Sequence, residues 1–229
     1  MNIERDEVCI FIPTLNEAPT IAELIGEFKE RGFRHILVMD GHSTDGTPDI
    51  ARAAGAVVRT QTGRGKGNAI IEAVAIIDKP YVLMLDGDGT YAPDDAERML
   101  DPLGLGFDHV IGDRLAGPEG EAFTRLNLLG NQILNLMFKL AHGRDLHDIL
   151  SGYRAFTLPS IRQMTLKESG FEIETEMAVE AVRHGQRITV VPVRYLARPG
   201  TATKLNPLQD GARIFSTIYR LAKMNNPIF

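Results

Sequence analysis

The densest chemistry in the chain is Asp86-Gly87-Asp88, which follows the apolar run 81–85. Two carboxylates two residues apart at a strand end, where ladder pairing stops, can share a hard divalent cation and its bound phosphates. Mg2+ and Mn2+ prefer oxygen donors, and Mg2+ is usually held by one or two carboxylates plus substrate phosphates. Gly87 lets backbone approach a ligand. For an isolated pair, a solvated Asp-Gly turn is the plain alternative, so the neighbouring clusters carry weight. Asp40-Gly41-His42-Ser43-Thr44-Asp45-Gly46-Thr47 follows a second apolar run. Asp40 can accept hydrogen bonds from a ribose or base edge, while Ser43 and Asp45 can close the turn and cap the next helix. Pro13-Thr14-Leu15-Asn16-Glu17 follows a third run and can hold a nucleotide. In it, Asn16 suits a turn, and Glu17 suits a sugar, a base or a helix start. Gly63-Arg64-Gly65-Lys66-Gly67-Asn68 opens a helix and invites an anion. It matches neither a Walker loop nor G-x-G-x-x-G.

These clusters need a scaffold that brings strand ends together. Strand patterns at 8–12, 36–39, 56–59 and 81–85 alternate with helical patterns at 20–30, 48–54 and 66–77. That alternation predicts βαβ units and an α/β fold: a mostly parallel sheet with helices on both faces. Ligands of such sheets lie beyond the carboxyl ends of the strands, where the polar clusters fall. Further on, strands are expected at 108–111 and 188–193, and helices at 124–141, 171–183 and 207–223. The reading is one domain over 1–229, its two halves meeting at about 115, with C-terminal helical additions.

In order and spacing, the four clusters resemble the P-x-x-N-E, D-G-x-S-x-D-G-T, G-K-G-x-A and D-x-D pattern of the inverting family 2 glycosyltransferases of the GT-A (Rossmann-like) fold. Gly112-Asp113-Arg114, Asp148 to Arg154, Phe171 to Glu176, and Val191-Pro192-Val193 with Arg198 and Thr203-Lys204-Leu205 resemble the dolichyl- and polyprenyl-phosphate sugar synthases. Asp113 and Thr203 stand where that subgroup has Ser, and Thr90 where some relatives place a metal-binding Gln. The resemblance implies transfer of a hexose or N-acetylhexosamine from a nucleotide-sugar, a UDP-sugar favoured, to dolichyl or polyprenyl phosphate. Asp86 and Asp88 would hold Mg2+ or Mn2+. Pro13, Thr14, Asn16, Glu17, Asp40, Ser43, Lys66, Asp86 and Gly87 would meet the nucleotide. Arg114, Ser151, Arg154, Arg198 and Lys204 would meet the acceptor phosphate, with Arg154 also catalytic. Glu174 would line the sugar site. The second ionisation of a phosphate lies near pH 6, so such an acceptor needs no general base. A hydroxyl acceptor needs one, which relatives often supply from an E-D motif, and this chain has no E-D dipeptide. Asp148 and Glu174 stay open as bases for that alternative, and a non-catalytic nucleotide-sugar binding module is the rival of another class.

Composition fits this reading. The 229 residues are 44% apolar with net charge −5, a globular composition that disfavours a nucleic-acid partner. From Arg183 onward, eight bases meet one acid, a local net of +7 that leaves −12 elsewhere. Ile214, Ile218 and Leu221 share a helical face with Arg213, Arg220 and Lys223 close by, which suits an interfacial helix on anionic lipid or a helix packed on the core. No signal peptide is visible and no apolar run nears the ~20 residues that span a bilayer. The expected place is the cytoplasmic face of a membrane, peripherally or as the soluble part of an anchored protein. The lone Cys9 reads as a buried thiol.

Overall fold

The computed structural model describes residues 3–116, 123–198 and 207–225. Strands β1 (Val8–Thr14), β2 (His35–Asp40), β3 (Val57–Thr60) and β4 (Tyr81–Met84) alternate with helices α1 (Ile21–Glu30), α2 (Thr47–Ala53) and α3 (Lys66–Ile76). Helix α4 (Ala96–Gly104) leads into β5 (His109–Asp113) and α5 (Arg125–His142). The chain continues through β6 (Arg154–Thr157), α6 (Leu158–Arg162), α7 (Ile173–Arg183), β7 (Ile188–Pro192) and α8 (Pro207–Asn225). The strands form one sheet in the order β3-β2-β1-β4-β6-β5-β7.

Side chains alternate across a strand, and helices cover both faces of this sheet. Cys9 and Phe11 of β1 therefore enter one core with Met39, Met84 and Met177. Ile10 and Ile12 enter the other with Phe28, Val38 and Leu83. A strand buried on both faces reads as a continuous apolar run, and all seven residues of β1 are buried. Burial pushes the Cys9 thiol up to about 12. Helix α1 buries Ile21, Leu24, Ile25 and Phe28 on one stripe. Truncating Phe28 to Ala there would cost about 3–5 kcal/mol.

Strand β6 runs antiparallel to both β4 and β5, with Arg154 beside Met84 and Ile111. Sequence patterning does not reveal it, because four residues opening on an arginine show no clear period. Its direction matters for the site. The start of β6, not its end, lies at the carboxyl edge of the parallel strands, so the segment 148–153 arrives beside the Asp86 loop.

The two long helices treat their apolar faces differently. Ile214, Ile218 and Leu221 of α8, which suited either an anionic lipid surface or the core, are buried in the core that also takes Phe138 of α5 and Met177 of α7. Helix α5 begins at Thr124, whose hydroxyl accepts from the Asn127 N–H at 3.2 Å, and ends at Gly143 in the left-handed region. It turns Phe138 inward and leaves Leu126, Leu129, Ile133, Leu136 and Leu140 each more than half exposed. Periodicity identifies an apolar face, but the neighbours decide whether that face is covered.

Candidate active site

The loops after β1 and β2 are stapled together. The Asn16 N–H donates to Ser43 Oγ at 2.8 Å, and Asn16 Oδ1 accepts from the Thr44 N–H at 2.8 Å. Asn16 takes φ 52°, a turn conformation that Asn tolerates. The Asp40 carboxylate accepts from the N–H groups of His42 (3.0 Å) and Ser43 (3.1 Å). Asp45 accepts from the N–H groups of Ala18 and Thr47. Asn16, Ser43 and Asp40 thus use these side-chain atoms to shape the loop pair. Pro13, Thr14, Glu17 and Gly41 line the cavity that the loops enclose.

Asp86 and Asp88 sit in that cavity, each against a cation. Asp86 pairs with Lys66, which also reaches Glu174 Oε1 at 2.5 Å. Burial works against the Lys66 charge, but Asp86 and then Glu174 outweigh it and hold the ammonium well above the usual lysine range. Asp88 Oδ1 accepts from Thr90 Oγ1 (2.6 Å) and the Thr90 N–H (3.1 Å). Its other oxygen lies 2.7 Å from Arg198, which also donates to Glu17 at 3.0 Å. Thr90, standing where some relatives carry a metal ligand, aims Asp88.

The glycines around the carboxylates are there for close packing. A Cβ on Gly87 would meet Thr14 Cγ2 at 2.7 Å, and the Gly87 carbonyl accepts from the Thr20 hydroxyl at 2.6 Å. The close approach expected of Gly87 is therefore made to β1. Cβ atoms on Gly65 and Gly67 would collide with the carbonyls of Ser169 and Glu168, and the Gly67 N–H donates to the Ser169 carbonyl at 2.9 Å. This glycine run seats α3 on the segment 168–170 and delivers Lys66 to the carboxylates, instead of forming a phosphate cradle. Gly152 is glycine for a third reason: a Cβ there would crowd Asp86 Oδ2 at 2.5 Å and Lys66 Nζ at 3.0 Å. Its N–H donates to the Tyr91 hydroxyl at 2.8 Å.

The expected acceptor-phosphate set is split by the fold. Arg154 is fully buried on β6, where Nε donates to the Ser151 carbonyl (2.9 Å) and Nη2 to the Ile149 carbonyl (2.6 Å). Nη1 lies 3.3 Å from His109 Nε2. Burial pulls the Arg154 pKa down to about 10. Ser151 is also fully buried, its hydroxyl accepting from the Tyr153 N–H. Neither residue lines the cavity, because the Arg154 side chain turns back under the carbonyls of Ile149 and Ser151 and the Ser151 hydroxyl is enclosed with it. This corrects the phosphate and catalytic roles read for Arg154 and the phosphate role read for Ser151. Arg114 grips Asp148 through Nε (2.7 Å) and Nη2 (2.8 Å) and lies against the rings of Phe123 and Tyr195. Burial opposes the Arg114 charge and Asp148 outweighs it, holding the guanidinium well above its ordinary value. Asp113 accepts from the Leu115 N–H and closes the turn after β5. Lys204, with Thr203 and Leu205, lies outside the described residues.

The cavity has a volume of about 500 Å³. It gathers Lys66, Asp86, Asp88, Arg114, Glu174 and Arg198, all singled out by sequence. It also takes in Gln61, Tyr195, Asp210 and Arg213, which sequence reasoning missed. Every carboxylate on its described wall faces a cation: Asp86 and Glu174 face Lys66, Glu17 and Asp88 face Arg198, and Asp210 lies 3.7 Å from Arg213. Among the described residues no cluster of three or more His, Cys, Asp or Glu side chains could hold a metal ion. Two carboxylates completed by substrate phosphates are nevertheless a donor set that suits a hard divalent cation. Asp86 and Asp88, opening on the cavity, fit that description.

A sheet of this topology, with paired aspartates at the end of its central strand and a cavity across its carboxyl edge, defines the GT-A class. Its fold matches glucosyl-3-phosphoglycerate synthase from Mycobacterium tuberculosis in complex with Mn2+ and UDP-glucose, with a TM-score of 0.75 and 22% identity, over 94% of this chain and 78% of that one. Residues 9–164 match glycosyl transferase family 2, and the chain belongs to that family. It is 57% identical over 226 residues to glycosyltransferase AglJ of Haloferax volcanii, covering 98% of this chain and 75% of AglJ. It is 31% identical over 218 residues to a dolichyl-phosphate hexose transferase of the same organism, covering 94% of each. The protein is a glycosyltransferase.

Proposed function

We propose that this glycosyltransferase moves a hexose or N-acetylhexosamine from a nucleotide-sugar, a UDP-sugar favoured, to a polyprenyl or dolichyl phosphate, inverting the anomeric centre. The name of one relative, dolichyl-phosphate hexose transferase, supports the acceptor class. The observation that carries the reading is the pairing of every described cavity carboxylate with a cation. None stands unaccompanied where a hydroxyl acceptor would need a base. Asp148, the other candidate base, is fully buried under the Arg114 fork. An acceptor phosphate brings an oxygen already ionised near neutral pH. That oxygen bonds to the anomeric carbon as the bond to the nucleoside diphosphate breaks.

Asp86 and Asp88 would hold a Mg2+ or Mn2+ ion, which supplies charge neutralisation for the leaving diphosphate. Lys66 adds a fixed cation at the same place, preorganised by Asp86 and Glu174. Glu174 is buried, lines the cavity and has Oε2 without a partner, so it is placed to accept from a sugar hydroxyl. Arg198 and Arg213 are the cations an acceptor phosphate would meet, and Lys204 belongs with them by sequence. Asp40 remains the residue proposed for the ribose or base.

The membrane surface is assigned to α5. Its exposed leucine and isoleucine row is joined by no acid between residues 124 and 144, while Lys139 and Arg144 supply positive charge. That pattern suits a helix lying in the interface of an anionic bilayer. Among the described residues no helix is long and apolar enough to cross a membrane.

Acceptor choice tests the reading. With Mn2+ and a panel of UDP- and GDP-sugars, polyprenyl phosphate should be glycosylated and the matching polyprenol should not. Transfer to the alcohol, or to a sugar hydroxyl with none to the phosphate, would overturn it.

A further inference from the structure

Strand β3 ends at Thr60, and Gln61 is the next residue. Its N–H donates to the Asp40 carbonyl at 3.0 Å, extending the β2–β3 pairing one step and fixing where the side chain begins. The side chain is 2% exposed, yet it forms part of the cavity wall. Its Oε1 is buried without a hydrogen-bond partner. A Cβ on Gly41 would stand 3.1 Å from the Thr14 carbonyl and 3.4 Å from Gln61 Nε2, which places the amide beside the loop after β2. Thr14 Oγ1, on the same wall, is also buried without a partner. A buried acceptor left unmatched is costly, and buried polar groups are otherwise almost always satisfied. Two residues of one cavity wall that each carry such an acceptor point to a ligand that brings hydrogen-bond donors.

Position limits what that ligand is. In the order β3-β2-β1-β4, Gln61 lies three strands from the loop that carries Asp86. At a strand spacing of about 4.8 Å this is about 14 Å, the reach of a nucleoside diphosphate and not of a bare phosphate. With the diphosphate at Asp86 and Asp88, the far end of the ligand at Gln61 is the base.

We propose that Gln61 reads the base of the donor, Oε1 accepting from a ring N–H and Nε2 donating to the neighbouring carbonyl. Uracil presents that pair on one edge. Guanine presents it with an additional amino donor that the amide cannot match. This inference rests on the nucleotide-sugar reading above and names the residue that sets its base preference.

Calorimetric titration of the full chain with UDP, GDP and pyrophosphate, each with Mn2+, tests it. Gln61→Glu leaves only acceptors, which oppose a uracil carbonyl and suit the two N–H donors of guanine. The preference for UDP over GDP should fall about ten- to hundredfold. Gln61→Met keeps the volume and removes both polar atoms; UDP should weaken about tenfold while pyrophosphate binds as before. An unchanged UDP-to-GDP ratio in Gln61→Glu would overturn the inference. So would a parallel loss of UDP and pyrophosphate in Gln61→Met, which marks a merely structural side chain. If the wild type binds UDP and GDP no better than pyrophosphate, the nucleotide-sugar reading itself fails and the inference with it.

Discussion

Asp86 meets Lys66 in the wall of a cavity, and Asp148 meets Arg114 where no solvent reaches the carboxylate. Both pairs join an aspartate and a base from the motifs that first drew attention, yet the surroundings give them different work. The Asp148 pair is bidentate, has the backbone N–H of Arg114 on the same carboxylate, and is clamped by Phe123 and Tyr195. It supports the segment from which Gly152 reaches the site. The Asp86 pair shares its lysine with Glu174 and opens on a space large enough for a ligand. A carboxylate that opens on a cavity can trade its cation for another charge; one that is fully enclosed, as Asp148 is, can only be kept or broken.

The largest effect is expected at Asp148: Asp148→Ala leaves the mostly enclosed Arg114 guanidinium without its carboxylate and should cost about 3–5 kcal/mol in urea unfolding. Asp88→Asn keeps its shape, so stability should barely change while transfer falls on the order of 10²–10³-fold. Loss of stability in the second variant, or full stability in the first, would erase the distinction. A smaller effect is expected on the outer surface. Replacing Leu129 and Ile133 with Ser should weaken sedimentation with anionic vesicles on the order of tenfold, with UDP affinity unchanged. The smallest concerns His109, behind the cavity. Burial, and then Arg154, hold its pKa well below the usual value, so it is neutral in the fold. The unfolded chain takes up a proton below about pH 6.5. Stability from this residue is therefore complete above that pH and falls as pH drops, by up to about 1.4 kcal/mol per unit. His109→Gln should lose that slope in unfolding measured between pH 7.5 and 5.

The parallel half of the fold was legible because β1, β2 and β4 are apolar runs flanked by turn signals and helical stripes. Strand β6 was not: its antiparallel course brings the segment to the site, but Ser151 and Arg154 turn inward there and only Gly152 stands against Asp86. Asp86, Asp88 and Lys66 stood out by residue type and spacing and Arg198 through the family resemblance, and all four line the cavity. Gln61 did not stand out, since a single glutamine after an edge strand carries no pattern, and only its unmatched oxygen reveals it. The faces of α5 and α8 were visible as periodicity, but which of them the body would cover depended on contacts between distant segments.

The central claim is that Asp86 and Asp88 run sugar transfer to a lipid phosphate. Its most direct test is lipid-extractable radiolabel formed from Mn2+, labelled nucleotide-sugar and polyprenyl phosphate vesicles, comparing wild type with Asp88→Asn. The account predicts labelled lipid from the wild type and on the order of a hundredfold less from the variant. No labelled lipid from the wild type with any donor, or equal labelling by the variant, would contradict it.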